Sequence, residues 1–220
     1  VNMHLVSAAS GVIRNLSTCV ARCHLDIESV IVSSYASAHA TLVEDEKQLG
    51  VTLIAMGGGT TSIAVFFDGE LVHTDCVPVG GVHVTNDVAR GLSTPLEDAE
   101  RMKTLYGNAM PSPSDDREFI KVPRIGEDDD AESGQVPRSM LVGIIRPRLE
   151  ETFEMVRARL EATGFDKVGG RRVVLTGGAC QLPGVPELAA MVLDKQVRVG
   201  RPRTVEGLAE AVSGPAFSTC

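Results

Sequence analysis

Residues 57–62, Gly-Gly-Gly-Thr-Thr-Ser, place three positions without side chains and three hydroxyls between the apolar runs Leu53–Met56 and Ile63–Val65. Such a stretch can turn N–H and O–H donors toward an anion, and the missing Cβ atoms let phosphate oxygens approach the main chain. Gly57, Gly58, Gly59, Thr60 and Thr61 are therefore candidate phosphate contacts. No Lys-Ser/Thr pair and no helix follows, so this is not a Walker loop, and a strand on both sides is the wrong setting for a dinucleotide fingerprint. An ordinary glycine-rich hairpin is the alternative reading. A second candidate is Gly177-Gly178 in VVLTGGACQLPG, at the carboxyl end of an apolar strand, where open α/β sheets hold ligands and a purine or ribose can lie on bare backbone. By itself it is a common loop. A third is Glu100 and Lys103, three apart on one helix face. The carboxylate can accept from ribose hydroxyls and the lysine stem can cover a base, although a plain surface pair has the same spacing.

These groups need elements to hold them. The spacing of Ile13, Leu16, Val20 and Cys23 predicts an amphipathic helix over 8–23, preceded by a strand in NMHLVSA and followed by a short strand at Val30-Ile31-Val32 and a small-residue helix over 35–43. A meander comes next: strands at 50–56, 61–67 and 70–79, with Asp68-Gly69 as the tight turn between the last two. A helix is expected over 83–92. Thr94-Pro95-Leu96-Glu97 reads as the capped start of another, over 95–106, stopped by Gly107. Residues 108–138 carry Pro111, Pro113, Pro123 and Pro137, a short strand at 119–122 and the acidic run 127–132, which reads as a solvated tip. A long helix over 139–163 follows, kinked or delayed by Pro147, with Ile145, Leu149, Phe153, Val156 and Leu160 on one face and Gly164 as its cap. A strand at 172–176, a helix at 184–194 and a strand at 196–199 complete the pattern.

The whole chain bounds the answer. Its 220 residues and 43% hydrophobic content allow a sizeable, largely aliphatic core, since aromatics make up only 4%. A net charge of −8 opposes general nucleic-acid binding, which needs a basic face. Five cysteines without a C-x-x-C pair, with only His24 beside Cys19 and Cys23, make a poor zinc set and read as the reduced thiols of a cytosolic protein. No apolar run is long enough to span a bilayer.

The order of glycine hairpin, A-E-x-x-K helix and strand-T-G-G resembles the actin, heat-shock chaperone and sugar-kinase superfamily, where ATP lies between two ribonuclease-H-like halves. A closer resemblance, over nearly the whole chain, is to the bacterial cell-division family FtsA. It is carried by GVTLIxMGGGTTSIAVFxxGxLVHT and VPVGGxHVTNDxARGLSTPxxxAExxKxLYG within residues 50–107, and by VVLTGGxxQLPG and QVRVG within 173–200. Rod-shape filament proteins share the general pattern without the VTND…GLSTP stretch.

The resemblance implies an α/β fold: an actin-like (ribonuclease-H-like) domain at 49–80 and 165–213 with an inserted α+β subdomain at 81–164. Residues 1–48 are then a partial first domain, comprising the tail of the FtsA-specific subdomain and a connecting helix, and 214–220 a truncated return to it. An upstream part and a carboxy-terminal membrane-targeting helix are expected outside these 220 residues. The implied role is an adaptor rather than an enzyme: it binds ATP, self-associates and links FtsZ filaments to the cytoplasmic face of the inner membrane at the division site. An ATPase or phosphotransferase of the same superfamily, or a pilus or secretion scaffold, is the alternative.

The resemblance makes Gly57–Thr61 the second phosphate loop and Gly177-Gly178 the adenosine loop. It assigns the inserted subdomain to the FtsZ carboxy-terminal tail. Arg138, Arg146 and Arg148 cluster near the start of the long helix and could pair with acids of such a tail, a plain basic helix surface being the alternative. One departure stands out. Ala55 occupies the position where the family usually carries an aspartate that helps hold Mg²⁺, and a methyl group offers a hard cation no oxygen. Phosphate cradling is expected to survive, with metal positioning and hydrolysis impaired.

Overall fold

A computed structural model of the chain describes residues 4–123, 134–203, 207, 209 and 212–220. Helix α1 (Ser10–Arg22) is followed by α2 (Ser33–Thr41) and α3 (Glu44–Leu49). The meander is β1 (Val51–Met56), β2 (Thr61–Phe67) and β3 (Glu70–Val77). Asp68 and Gly69 both hold positive φ, 54° and 81°, as a two-residue hairpin turn requires. Helices α4 (Gly81–Leu92) and α5 (Leu96–Tyr106) then pack on each other, and β4 (Phe119–Val122) pairs with β5 (Gly134–Pro137) as a separate ribbon. The long helix α6 (Arg138–Thr163) ends at Gly164 in the left-handed conformation. A single turn, α7 (Phe165–Val168), leads to β6 (Arg172–Thr176), a 3₁₀ turn at Gly178–Gln181, α8 (Val185–Leu193) and β7 (Gln196–Val199).

The main sheet has the order β3-β2-β1-β6-β7. The meander is antiparallel, while β6 pairs parallel to β1, Thr52 opposite Val173, and β7 pairs parallel to β6. Alternation along β1 and β2 divides their side chains between two layers. Ile54, Met56, Ile63 and Val65 join the larger core, shared with α4, α5, α6 and α8, and the α6 face of Ile145, Leu149, Phe153, Val156 and Leu160 is buried there as expected. Val51, Leu53, Ala64 and Phe66 face α2. Each fully buried aliphatic or phenyl side chain contributes roughly 1.5–3 kcal/mol by leaving water. The larger core runs unbroken from the sheet into α4–α6, so residues 81–164 share their apolar interior with the strands on either side of them.

Several expectations fail for identifiable reasons. Residues 4–9 and 25–32 form no strand, because no sheet edge among the described residues takes them, and Val30 and Ile31 stay 62% and 60% exposed. Thr94 does not cap α5. Its N–H instead closes α4 on the Ala89 carbonyl at 3.0 Å, behind Ser93 in the left-handed region, which leaves Pro95 as the cap residue and the buried Thr94 hydroxyl without a partner among the described residues. Pro147 neither delays nor ends α6. Strand β5 and helices α3 and α7 were not anticipated. The acidic run 127–132 lies outside the described residues.

Helix α3 carries a long-range tie. Glu46, 4% exposed, takes the Arg198 guanidinium at 2.7 and 2.5 Å and the Val43 N–H at 3.2 Å, joining the segment before β1 to β7. The Arg198 bonds hold its carboxyl below the usual value against the opposing effect of burial. A depressed carboxylate adds stability that is complete above the unfolded-state pKa and is lost as pH falls through the folded one. Glu46→Gln is expected to cost about 2 kcal/mol at pH 7 by urea unfolding. The gap between variant and parent should shrink steadily below about pH 4.5, the ordinary glutamate value; a gap independent of pH would refute the tie.

Candidate functional site

The glycine tip is shaped by α4. Met56 opposite Thr61 is the last pair of the β1–β2 ladder, and the Gly57 N–H closes the tip on the Thr60 carbonyl at 2.9 Å. The Gly57 and Gly58 carbonyls then accept from the first N–H groups of α4, those of Gly81 at 2.9 Å and Val82 at 2.8 Å. A helix leaves those donors open at its start, and here the tip consumes them. Contact this close depends on Gly80, where a Cβ would lie 2.6 Å from both tip carbonyl oxygens.

All peptide bonds described are trans, and a planar trans peptide points its N–H opposite its C=O. With the carbonyls of 57 and 58 aimed at α4, the N–H groups of Gly58 and Gly59 face away from it. They have no partner among the described residues, and both glycines are exposed. The fold itself does not require glycine there. Neither residue has left-handed φ, a Cβ on Gly58 would meet Val82 at an ordinary 3.7 Å, and one on Gly59 would meet nothing.

Beside the tip lies a cavity of about 470 Å³. It brings together Gly57, Gly58, Glu100, Lys103 and Gly178, with Val84 and Leu149 among its apolar lining. Gly59 and Thr60 are exposed at the tip and do not line it. Two candidates change role. Thr61 is fully buried and gives its hydroxyl to the Val79 carbonyl at 2.8 Å, so it offers nothing to a ligand. Gly177 also lies outside the lining. With φ +89° and a would-be Cβ 2.4 Å from the Met56 carbonyl, it is glycine because β6 leaves the sheet tightly against β1. Cys180, behind this loop, is an inert thiol, pushed up to about 12 by burial.

Glu100 and Lys103 do share a face, but they are not a loose surface pair. The Lys103 ammonium gives its three donors to Glu100 Oε2 at 2.6 Å, Thr85 Oγ1 at 2.9 Å and the Gly81 carbonyl at 3.3 Å. Thr85 Oγ1 lies 2.5 Å from the same Glu100 oxygen. Burial pushes the Glu100 carboxyl up, yet the bonds from Lys103 and Thr85 outweigh it and leave the group below the usual carboxylate value. Sequence reasoning missed Thr85. The available signal was its position one helical turn after Gly81, facing the helix that carries Glu100.

Ala55, near the end of β1, pairs with Ser62 and Thr176 and presents only a methyl group. Among the described residues no group of three His, Cys, Asp or Glu side chains could hold a metal ion. The donor chemistry at Ala55 thus does not suit Mg²⁺, whereas the bare amides of the tip suit phosphate oxygens.

The three arginines of α6 are already paired. Arg138 meets Glu118 at 2.9 Å and Asp115 at 3.4 Å, and Arg146 meets Glu150 at 2.7 Å. Arg148 grips Asp87 of α4 at 2.5 and 3.3 Å and also bonds Glu151, which raises its pKa, chiefly through the Asp87 bond.

Comparison with known proteins bears on family and fold. The family model for cell division protein FtsA matches residues 52–220. The cell division protein FtsA of Rhizobium meliloti (strain 1021) is 52% identical over 219 residues, all of this chain and 50% of that protein. That of Escherichia coli (strain K12) is 35% identical over 228 residues, 99% of this chain and 53% of that one. The chain thus spans about half the length of the curated relatives it matches. Among solved structures, MreB5 of Spiroplasma citri bound to ADP superposes with a TM-score of 0.70 at 15% identity, over 88% of this chain and 61% of that one. The PilM-PilN type IV pilus biogenesis complex gives 0.70 at 17% identity, over 94% and 55%. Actin-like by its fold neighbours, and matched by the FtsA family model over residues 52–220, the chain belongs to the FtsA family of cell-division proteins.

Proposed function

We propose that this chain supplies the second phosphate loop and the ribose-facing wall of an ATP site in a cell-division adaptor. One observation carries the reading: Gly58 and Gly59 hold consecutive N–H groups unpaired and uncovered, at positions where the fold would accept a side chain. Bare backbone that the protein does not need for itself suits a ligand that must approach closely, and oriented amides suit phosphate. Glu100 lies across the cavity with Oε2 engaged and Oε1 free to accept from ribose hydroxyls.

ATP then acts as an assembly ligand. Nucleotide seated between two halves of an actin-like protein favours one state by its differential affinity, without turnover. Self-association, linkage to FtsZ and attachment to the inner face of the cytoplasmic membrane complete the proposal. Membership of the FtsA family supports these roles. Among the described residues no helix is long and apolar enough to cross a membrane. Acids of an FtsZ tail would reach Arg138, Arg146 or Arg148 by exchanging with their present carboxylates.

Two tests use an FtsA of full family length carrying this sequence. By titration calorimetry, ATP should bind more tightly than adenosine. Gly58→Ala keeps the N–H but adds a methyl group that holds phosphate oxygens off the main chain, and should weaken ATP about tenfold, as lengthening one charge-assisted hydrogen bond would, without lowering the melting temperature. Equal binding by parent and variant would reject the phosphate assignment. In a phosphate-release assay, hydrolysis should be near background and rise with Mg²⁺ in Ala55→Asp; a brisk parent rate that the substitution leaves unchanged would contradict the role given to Ala55.

A further inference from the structure

The glycine tip, Lys103 and Glu100, all at the cavity, are joined by hydrogen bonds, and Thr85 sits in that path. Thr85 lies on the first turns of α4, 5% exposed, one turn after Gly81. Its hydroxyl has one proton and two lone pairs. Lys103 donates to it at 2.9 Å, so its own proton goes to Glu100 Oε2, 2.5 Å away, in preference to the Gly81 carbonyl at 3.1 Å. Gly81 already serves the glycine tip, donating its N–H to the Gly57 carbonyl, and its own carbonyl accepts from Lys103. The path therefore runs tip, Gly81, Lys103, Thr85, Glu100, with every step a hydrogen bond.

From this closed network we propose that Thr85 is a positioning residue for nucleotide recognition, locking the Glu100 carboxylate in the rotamer that leaves Oε1 toward the ribose side of the cavity. This rests on the ATP reading above. Lys103 spends all three donors inside the network, so its ammonium is a strut, and selectivity for the sugar falls to Glu100 as Thr85 holds it. Without the hydroxyl, Glu100 keeps one tether, to an ammonium that has itself lost an acceptor, and turns toward water, since its side chain is 53% exposed.

The test compares ATP with 2′,3′-dideoxy-ATP, which keeps base and phosphates and lacks both ribose hydroxyls, on an FtsA of full family length carrying this sequence. The parent should prefer ATP by about tenfold, the worth of a hydrogen bond to a charged acceptor. Thr85→Val, nearly isosteric, should collapse that preference toward unity while dideoxy-ATP affinity changes less than threefold. Thr85→Ser should restore the preference. Thr85→Ala removes the same donor with less bulk and serves if the valine variant does not fold. A merely structural role would weaken both nucleotides alike and leave their ratio intact, which would overturn the proposal. Failure of the parent to bind either nucleotide would instead sink the ATP reading itself.

Discussion

The site depends on the contact between the β1–β2 tip and the start of α4. Two carbonyls of the tip accept the first two N–H groups of the helix, and a trans peptide leaves no choice about where the neighbouring N–H groups then point. Donors that an isolated helix would direct at solvent are exchanged for donors on a loop without side chains. Gly80 permits it, since any Cβ there would enter both carbonyl oxygens. The glycines of this region thus fall into two kinds. Gly80 and Gly177 answer to crowding inside the protein, whereas Gly58 and Gly59 meet no internal demand.

From that contact the arrangement spreads outward. α4 is held by the tip at its first turn, by Glu100 and Lys103 through Thr85 one turn later, and by Arg148 of α6 through Asp87 beyond that. The cavity is bounded by the tip, α4, α5, α6 and the turn after β6, all attached to the same sheet or to the core beneath it. Such a site can respond to a ligand as a unit, because shifting the tip strains a hydrogen-bonded path that ends at the far wall. At Ala55, near the end of β1 beside the tip, a methyl group offers a hard cation no oxygen.

Much of this was legible in the sequence, for physical reasons. Period-2 patterning with Asp68-Gly69 gave the meander, and the apolar spacing from Ile145 to Leu160 gave the buried face of α6, because local pattern and tertiary role agree there. The residues gathered at the cavity, Gly57, Gly58, Glu100, Lys103 and Gly178, were found by composition and spacing. What stayed hidden depended on distant partners. Thr61 sits in a hydroxyl-rich run that looks like donors, yet its hydroxyl already donates to the Val79 carbonyl. Thr94 has the type and spacing of a cap, but the closure of α4 claims its backbone first. Arg148 looked like a free cation because its partner Asp87 is 61 positions away, whereas the partner of Arg146, Glu150, stands only one helical turn on and was legible but unread. Thr85 was invisible because a threonine inside a helix is unremarkable until α5 is seen beside it.

Amide resonances of the tip test the central claim most directly. In an FtsA of full family length carrying this sequence, with glycine nitrogen labelled, the Gly58 and Gly59 N–H signals should move downfield on saturation with ATP and stay in place with adenosine, while the Gly81 signal, already bonded inside the protein, changes little. If ATP binds and the Gly58 and Gly59 signals do not move, the tip is an ordinary hairpin and the phosphates lie elsewhere.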